Sequence, residues 1–220
     1  MLATSLEIRP RIGQIGGIAE VCAPVPCARN LVTRSEPPID IADTFIAAIL
    51  RPYRVNAQYL KSAQIIHLSE KVAASDCAFV TGTGRFAIPE SCYIDDTGHF
   101  NAVEFNICYN QLAYVLFGKC LELGVLQKLT KRLGDKMVSG LSMSMADYKQ
   151  RQLPSMLIVG IEGVRFFKEL KSDDFRGELS INRVAPVGGA YFFFTSISFA
   201  DAEGVKAKGS VVLAFVPPRA

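Results

Sequence analysis

The chain has 220 residues; half are hydrophobic, a fifth are charged and the mean hydropathy is +0.23. That balance excludes a disordered chain, a coiled coil and a charge-driven tail, and a globule this long buries about 70% of its unfolded surface without disulfide staples. Lys and Arg number 24 against 21 Asp and Glu, a surplus of +3, which is a weak argument for nucleic acid because such recognition rests on a clustered basic face. An acidic carrier protein or a phosphorylated cofactor stays open as a partner.

Five of the eleven prolines lie at or before position 38, and Gly13, Gly16 and Gly17 interrupt the same stretch. Residues 1–38 therefore read as an irregular arm, and residues 39–220 as one domain. Glu7, Arg9 and Arg11 precede any long apolar run, so the start does not read as a signal peptide. No uncharged apolar stretch reaches the roughly 20 residues that a membrane span needs. A cytoplasmic globule without membrane or nucleic-acid contacts is expected.

In chain order, Asp40 or Asp43 can cap a helix running to Leu50, with Ile41, Phe45, Ile46 and Ile49 on its apolar side and Pro52 ending it. Residues 63–73 and 77–88 suit strands, the second interrupted by Gly82 and Gly84, which mark a bulge or strong curvature. Residues 92–94 read as a continuation of that strand past Pro89. After the loop at 95–101, a helix is predicted over 102–123. Only Glu104, Lys119 and Glu122 are charged between Asn101 and Leu123, so this helix reads as buried nearly all round. Residues 138–148 form a Ser/Met-rich linker or short helix. Four strands follow, at 155–167, 175–187, 190–200 and 205–216, with turns at 186–189 and 201–204. A buried helix between strand-forming segments predicts an α+β fold in which one central helix is wrapped by a sheet.

The six cysteines, at 22, 27, 77, 92, 108 and 120, contain no CxxC, and the only histidines are His67 and His99; no metal site is expected. Cys92, Cys108 and Cys120 lie among apolar residues and are read as buried thiols. GTG at 82–84 lacks phosphate-loop spacing, and no GxSxG elbow occurs. The chemistry therefore concentrates at the entry to the long helix. Gly98, His99, Asn101, Glu104, Asn106, Tyr109, Asn110 and Gln111 crowd into fourteen positions. Asn106 and Asn110 share a helix face. These side chains serve either as structural partners of the strand backbones, since an unpaired buried amide costs about 1–3 kcal/mol, or as a polar site. Backbone N–H groups at a helix start can bind an oxyanion, and an imidazole there can exchange protons at cellular pH. His67, on a strand pattern, reads as structural. Arg85, Lys149 and Arg151 are cations beside apolar runs, each either a solvated charge or a holder of a carboxylate or phosphate.

The segment FAIPESCYIDDTGHFNAVEFNICYNQLAYVLFGKCLE, residues 86–122, resembles hotdog-fold thioesterases, and more narrowly the long-chain fatty-acyl thioesterase family called FcoT. RPYRVNAQYL (51–60) and DYKQRQLPSMLI (147–158) carry the same resemblance, which runs from about residue 40 to the end. It implies a hotdog fold, a long buried helix wrapped by a curved antiparallel β-sheet. It also implies a homodimer or higher oligomer joined through sheet edges, with the acyl thioester site at the subunit interface. Position by position, the family's pocket residues fall on Tyr53, Tyr93, Asn101 and Asn110, with His99 beside them; Gly98 and Glu104 are read as substrate-binding neighbours. Glu104 is the only carboxylate on this part of the helix.

Members of the family add glycine to the β-carbon of a (2E)-enoyl thioester on acyl carrier protein and then release an N-carboxymethyl-3-amino acid by hydrolysis, for later work by an amine oxidase or oxygenase. The resemblance implies that activity here, with no cofactor. Tyr and Asn would polarise the thioester carbonyl, His99 would act as base, and Arg85, Lys149 or Arg151 would hold the glycine carboxylate. A plain fatty-acyl thioesterase acting on CoA or carrier-protein thioesters is the alternative. A non-catalytic acyl-binding protein is a third.

Overall fold

The structure, a computed structural model, describes residues 37–69, 78–95, 99–128, 141 and 143–216. The arm expected at 1–38 lies almost wholly outside the described residues, as does Gly98. Seven strands form one antiparallel sheet: β1 (Ile39–Ile41), β2 (Leu60–Leu68), β3 (Val80–Phe86), β4 (Met156–Phe166), β5 (Phe175–Val187), β6 (Ala190–Asp201) and β7 (Gly204–Phe215). Their spatial order is β1-β2-β3-β5-β6-β7-β4. The helices are α1 (Asp43–Leu50), α2 (Ala102–Glu122) and α3 (Met145–Ser155). None of them is long and apolar enough to cross a membrane.

The alternation of β6 shows why one face of the sheet closes on α2. Tyr191, Phe193, Thr195, Ile197 and Phe199 are all buried, while the residues between them are partly exposed, as period-two side chains on a half-covered sheet must be. Phe117 meets Phe193 edge-on at 4.6 Å, and Phe105 meets Phe199 at 5.3 Å, so side chains near both ends of α2 reach β6. Phe100 seals the helix start against Phe175 and Phe199, at 5.2 and 5.1 Å. Glycines let the helix come close. A Cβ on Gly82 would collide with Leu116, and one on Gly84 would meet Leu60 at 2.5 Å and Leu112 at 3.0 Å. These two glycines mark a helix seat; the irregular register of this pair falls on β2, between Leu60 and Ser62 and again between Ile65 and His67.

The expected strands at 175–187, 190–200 and 205–216 match β5, β6 and β7 closely. Several details differ. α1 is capped by the backbone of Ala42 without a side-chain cap, and Asp43 sits in its first turn. Residues 92–94 are not a strand; the ladder of β3 stops at Phe86, and the chain beyond Pro89 bends away as a loop. α3 is capped by Ser144, whose hydroxyl accepts from the Asp147 N–H at 3.1 Å, and runs seven residues past the predicted end of the linker. Cys108 and Cys120 are fully buried, whereas Cys92 is only partly so; all three are free thiols.

α2 is not buried all round. Its C-terminal half lies under the other helices, with Tyr148 and Phe45 against Gly118 and the Tyr148 hydroxyl donating to the Tyr114 carbonyl at 2.7 Å. Its N-terminal half keeps one uncovered stripe: Val103 is exposed, and Asn106, Ile107 and Asn110 are partly so. Those positions follow one another at three- and four-residue steps, hence lie on one face.

Candidate active site

The uncovered stripe begins at a capped helix end. Asn101 takes up extended backbone at the N-cap, and its Oδ1 accepts from the Val103 N–H at 2.8 Å. Its own N–H donates to Glu104 Oε2 at 3.3 Å, and Ser91 Oγ donates to Glu104 Oε1 at 3.3 Å. Glu104, only 2% exposed, thus has both oxygens tied into the junction of loop and helix, as the acid of a capping box. The remaining end of the Asn101 amide, Nδ2, donates to the Tyr93 hydroxyl at 2.7 Å. A phenol that accepts from an amide keeps its own proton to donate outward. Tyr93 is 44% exposed, so that proton faces open space beside the positive end of the helix.

Tyr59 pins the loop bearing Tyr93. Its hydroxyl accepts from the Cys92 N–H at 2.9 Å and donates toward the Glu90 carbonyl at 3.5 Å. Tyr59 is itself fixed to α2 by Gln111, which is fully buried: Oε1 accepts from the N–H groups of Tyr59 and Leu60, both at 3.0 Å, and Nε2 donates to the Ala57 carbonyl at 2.5 Å. A second amide closes the preceding turn, as Gln58 Nε2 donates to the carbonyls of Leu50 and Tyr53 at 3.3 and 3.0 Å. That turn carries Tyr53, whose ring is half-buried against the core. Burial, with smaller contributions from Tyr114 and Cys108, pushes its phenol well above the usual range. Tyr53 is therefore a neutral donor at any cellular pH, facing the 108–114 part of α2.

Asn110 has no hydrogen-bond partner among the described residues. Asn106 Nδ2 donates to the Ala102 carbonyl at 3.0 Å, which leaves Oδ1 shielded from solvent and unpaired. His99 is exposed at the helix entry, two residues before the cap. Tyr53, Tyr93, His99, Asn101 and Asn110 are thus disposed around the N-terminal half of α2.

The three expected cations are not gathered there. Arg85 follows Gly84, which faces α2, so its side chain leaves the opposite face of β3. There its guanidinium forms a two-pronged pair with Asp174, at 2.7 and 2.8 Å, beside a groove of about 570 Å³ also lined by Gln64, Thr83 and Arg176. Lys149 and Arg151 stand on α3, exposed and partly exposed, both just after the buried Tyr148. Among the described residues no three His, Cys, Asp or Glu side chains come together to hold a metal. Sequence reasoning named Gln111 as a polar residue and missed Tyr59, Gln58 and Ser91. Gln111, Tyr59 and Ser91 act on residues thirteen or more positions away, which no local spacing announces, whereas Gln58 acts within its own turn.

A long helix seated in an antiparallel sheet, with tyrosine and amide donors at the helix start, defines a hotdog enzyme of the thioesterase class. Residues 48–215 match the FcoT-like thioesterase domain, and the chain belongs to that family. A (2E)-enoyl-[ACP] glycyltransferase of Streptomyces coeruleorubidus is 35% identical over 179 residues, 79% of this chain and 96% of the relative. A protein of the same name from Mycobacterium bovis is 34% identical over 196 residues, 86% of this chain and 93% of the relative. Among solved structures, a mutant thioesterase from Pseudomonas aeruginosa aligns at 10% identity and a TM-score of 0.43, covering 81% of this chain and 96% of that one.

Proposed function

We propose that this chain adds glycine to a (2E)-enoyl thioester on acyl carrier protein and then hydrolyses the thioester, releasing an N-carboxymethyl-3-amino acid. The observation that carries the reading is the Asn101–Tyr93 hydrogen bond at the start of α2, which aims a phenol proton outward beside a helix N-terminus. The relatives' shared name supplies the substrate. In the addition, the neutral glycine amine attacks the β-carbon and the C=C pair shifts to form an enolate on the thioester oxygen. The proton lost from the new ammonium returns to the α-carbon. Tyr93 and Tyr53 donate to the enolate oxygen, and His99 moves the proton. In the hydrolysis, water attacks the carbonyl, the same donors stabilise the oxyanion, and the pantetheine sulfur leaves and takes a proton. Asn110 orients the thioester, and Gly98 and Glu104 shape the entry.

Asp174 already engages Arg85, and Lys149 and Arg151 on α3 would reach the glycine carboxylate only where α3 of a second protomer lies against the start of α2. The enzyme works as a homodimer in the cytoplasm. β1 offers a sheet edge of three residues, while β4 offers one of eleven, with Leu157, Val159, Ile161 and Phe166 each 44–51% exposed. Pairing β4 with its copy would cover that edge and the open stripe of α2 together. The product is a secondary amine, which an amine oxidase or oxygenase would consume. The thioesterase character of the family favours one other reading, hydrolysis without addition.

Mass spectrometry of a medium-chain 2-enoyl carrier protein incubated with enzyme and labelled glycine tests the proposal. Label in a β-adduct, tethered or released, supports it. Unlabelled enoic acid, released equally fast with and without glycine, would replace it with the thioesterase.

A further inference from the structure

The turn that carries Tyr53 also carries positive charge without local opposition. From residue 44 to residue 69 the chain has no Asp or Glu, yet it holds Arg51, Arg54 and Lys61. All three are exposed. Neither arginine enters an ion pair among the described residues. Lys61 Nζ donates to the Gln58 carbonyl at 2.9 Å, which folds its ammonium back onto the same turn. Between the arginines and the lysine stands Val55, 88% exposed, on the short helical turn Val55–Ala57. An apolar side chain with a charged surround is the make-up of a protein interface.

The segment is also rigid. Gln58 closes it from within and Gln111 fastens its end to α2, so docking onto it would cost little ordering entropy. Tyr53 turns inward while Arg51 and Arg54, on either side, turn out. The outside of the turn thus adjoins the candidate site.

We propose that Arg51, Arg54 and Lys61, around Val55, form the docking surface for an acidic carrier protein, which delivers its pantetheine arm past Tyr53. This rests on the reading that the substrate arrives on a carrier, and charge complementarity identifies the partner.

The test uses the full chain with Arg51→Glu and Arg54→Glu combined, and separately Lys61→Glu. kcat/KM is measured on a 2-enoyl carrier protein, on the matching CoA thioester and on the matching pantetheine thioester, which carries no phosphate. The double variant should lose about tenfold or more on the carrier substrate, chiefly through KM, with the pantetheine substrate unchanged. In the unmodified enzyme the KM for carrier substrate should rise with salt. Equal losses on carrier and pantetheine substrates would overturn the proposal, because the turn would then be acting on the site itself. No loss on the carrier substrate would overturn it too. A loss confined to the CoA thioester would make the turn a nucleotide-phosphate site instead. If no thioester is turned over, the functional reading fails separately, and fluorescence anisotropy of labelled holo-carrier against both proteins still reads the docking. Should the charge-reversed chain not fold, Arg51→Gln with Arg54→Gln serves the same comparison.

Discussion

The side-chain oxygen of Asn101 caps α2 while its nitrogen holds Tyr93, so two substitutions separate the roles. Asn101→Ala loses both, costing about 1 kcal/mol of stability for the cap together with most turnover. Asn101→Asp keeps an acceptor at the helix start but presents no N–H to Tyr93. Its melting temperature should stay near that of the parent while single-turnover rates fall by about 100-fold or more; an Asp variant of full activity would remove the Asn101–Tyr93 pair from the mechanism. Cys120 makes a different prediction. Burial pushes its thiol to about 12, whereas in the unfolded chain it ionises near its ordinary value of about 8.5. The unfolded state therefore binds fewer protons above that value, and stability falls as pH rises from about 9 toward 12. Urea denaturation at stepped pH should show this slope, and Cys120→Ala should reduce it. Of these residues, Asn101 and Glu104 stood out in the sequence because polar groups are rare in so apolar a helix. Arg85 read as a plausible site cation because the direction of its side chain depends on which neighbour lies beneath α2, and only the packed helix reveals that.

At the scale of elements, Gly82 and Gly84 determine how near α2 can sit. Gly82→Ala would drive a methyl into Leu116, and overpacking of this kind costs about 1–3 kcal/mol. The denaturation midpoint should fall with an unchanged slope; an unaltered midpoint would mean that Leu116 has room to swing aside. Legibility followed burial. β6 was readable from its run of Phe, Thr and Ile, which favour strands, and α2 was readable from its apolar content. α3 was not, because it buries only Tyr148, Gln152 and Ser155 and so carries no apolar period for a sequence to display; Gln152 is held instead by a long-range bond from its Nε2 to the Ile49 carbonyl at 2.8 Å. β1 is a three-residue strand whose pairing with β2 is tertiary information. Residues 92–94 carry strand-forming types, yet Tyr59 draws the Cys92 N–H out of any ladder. The open stripe of α2 escaped notice because Val103 and Ile107 are apolar, and composition does not distinguish a face buried within the chain from one awaiting a partner.

For the molecule as a whole, the proposed pairing through the long edge at β4 predicts a dimer of twice the 24.0 kDa chain mass. Light scattering should find it, and Val159→Asp with Ile161→Asp should yield monomers with little turnover. Monomers of full activity would separate catalysis from assembly. The joint between α3 and β4 has a consequence for how this protein can change in length. The helix ends at Ser155 and the strand starts at Met156, with no residue between. One codon inserted there would exchange the two faces of β4 up to its first bulge, sending Met156 and Ile158 outward and Leu157 inward. The turn between β5 and β6 is different, because Gly188 and Gly189 both sit at positive φ with open space around them. Natural insertions and engineered tags should accumulate at the second place and be purged from the first.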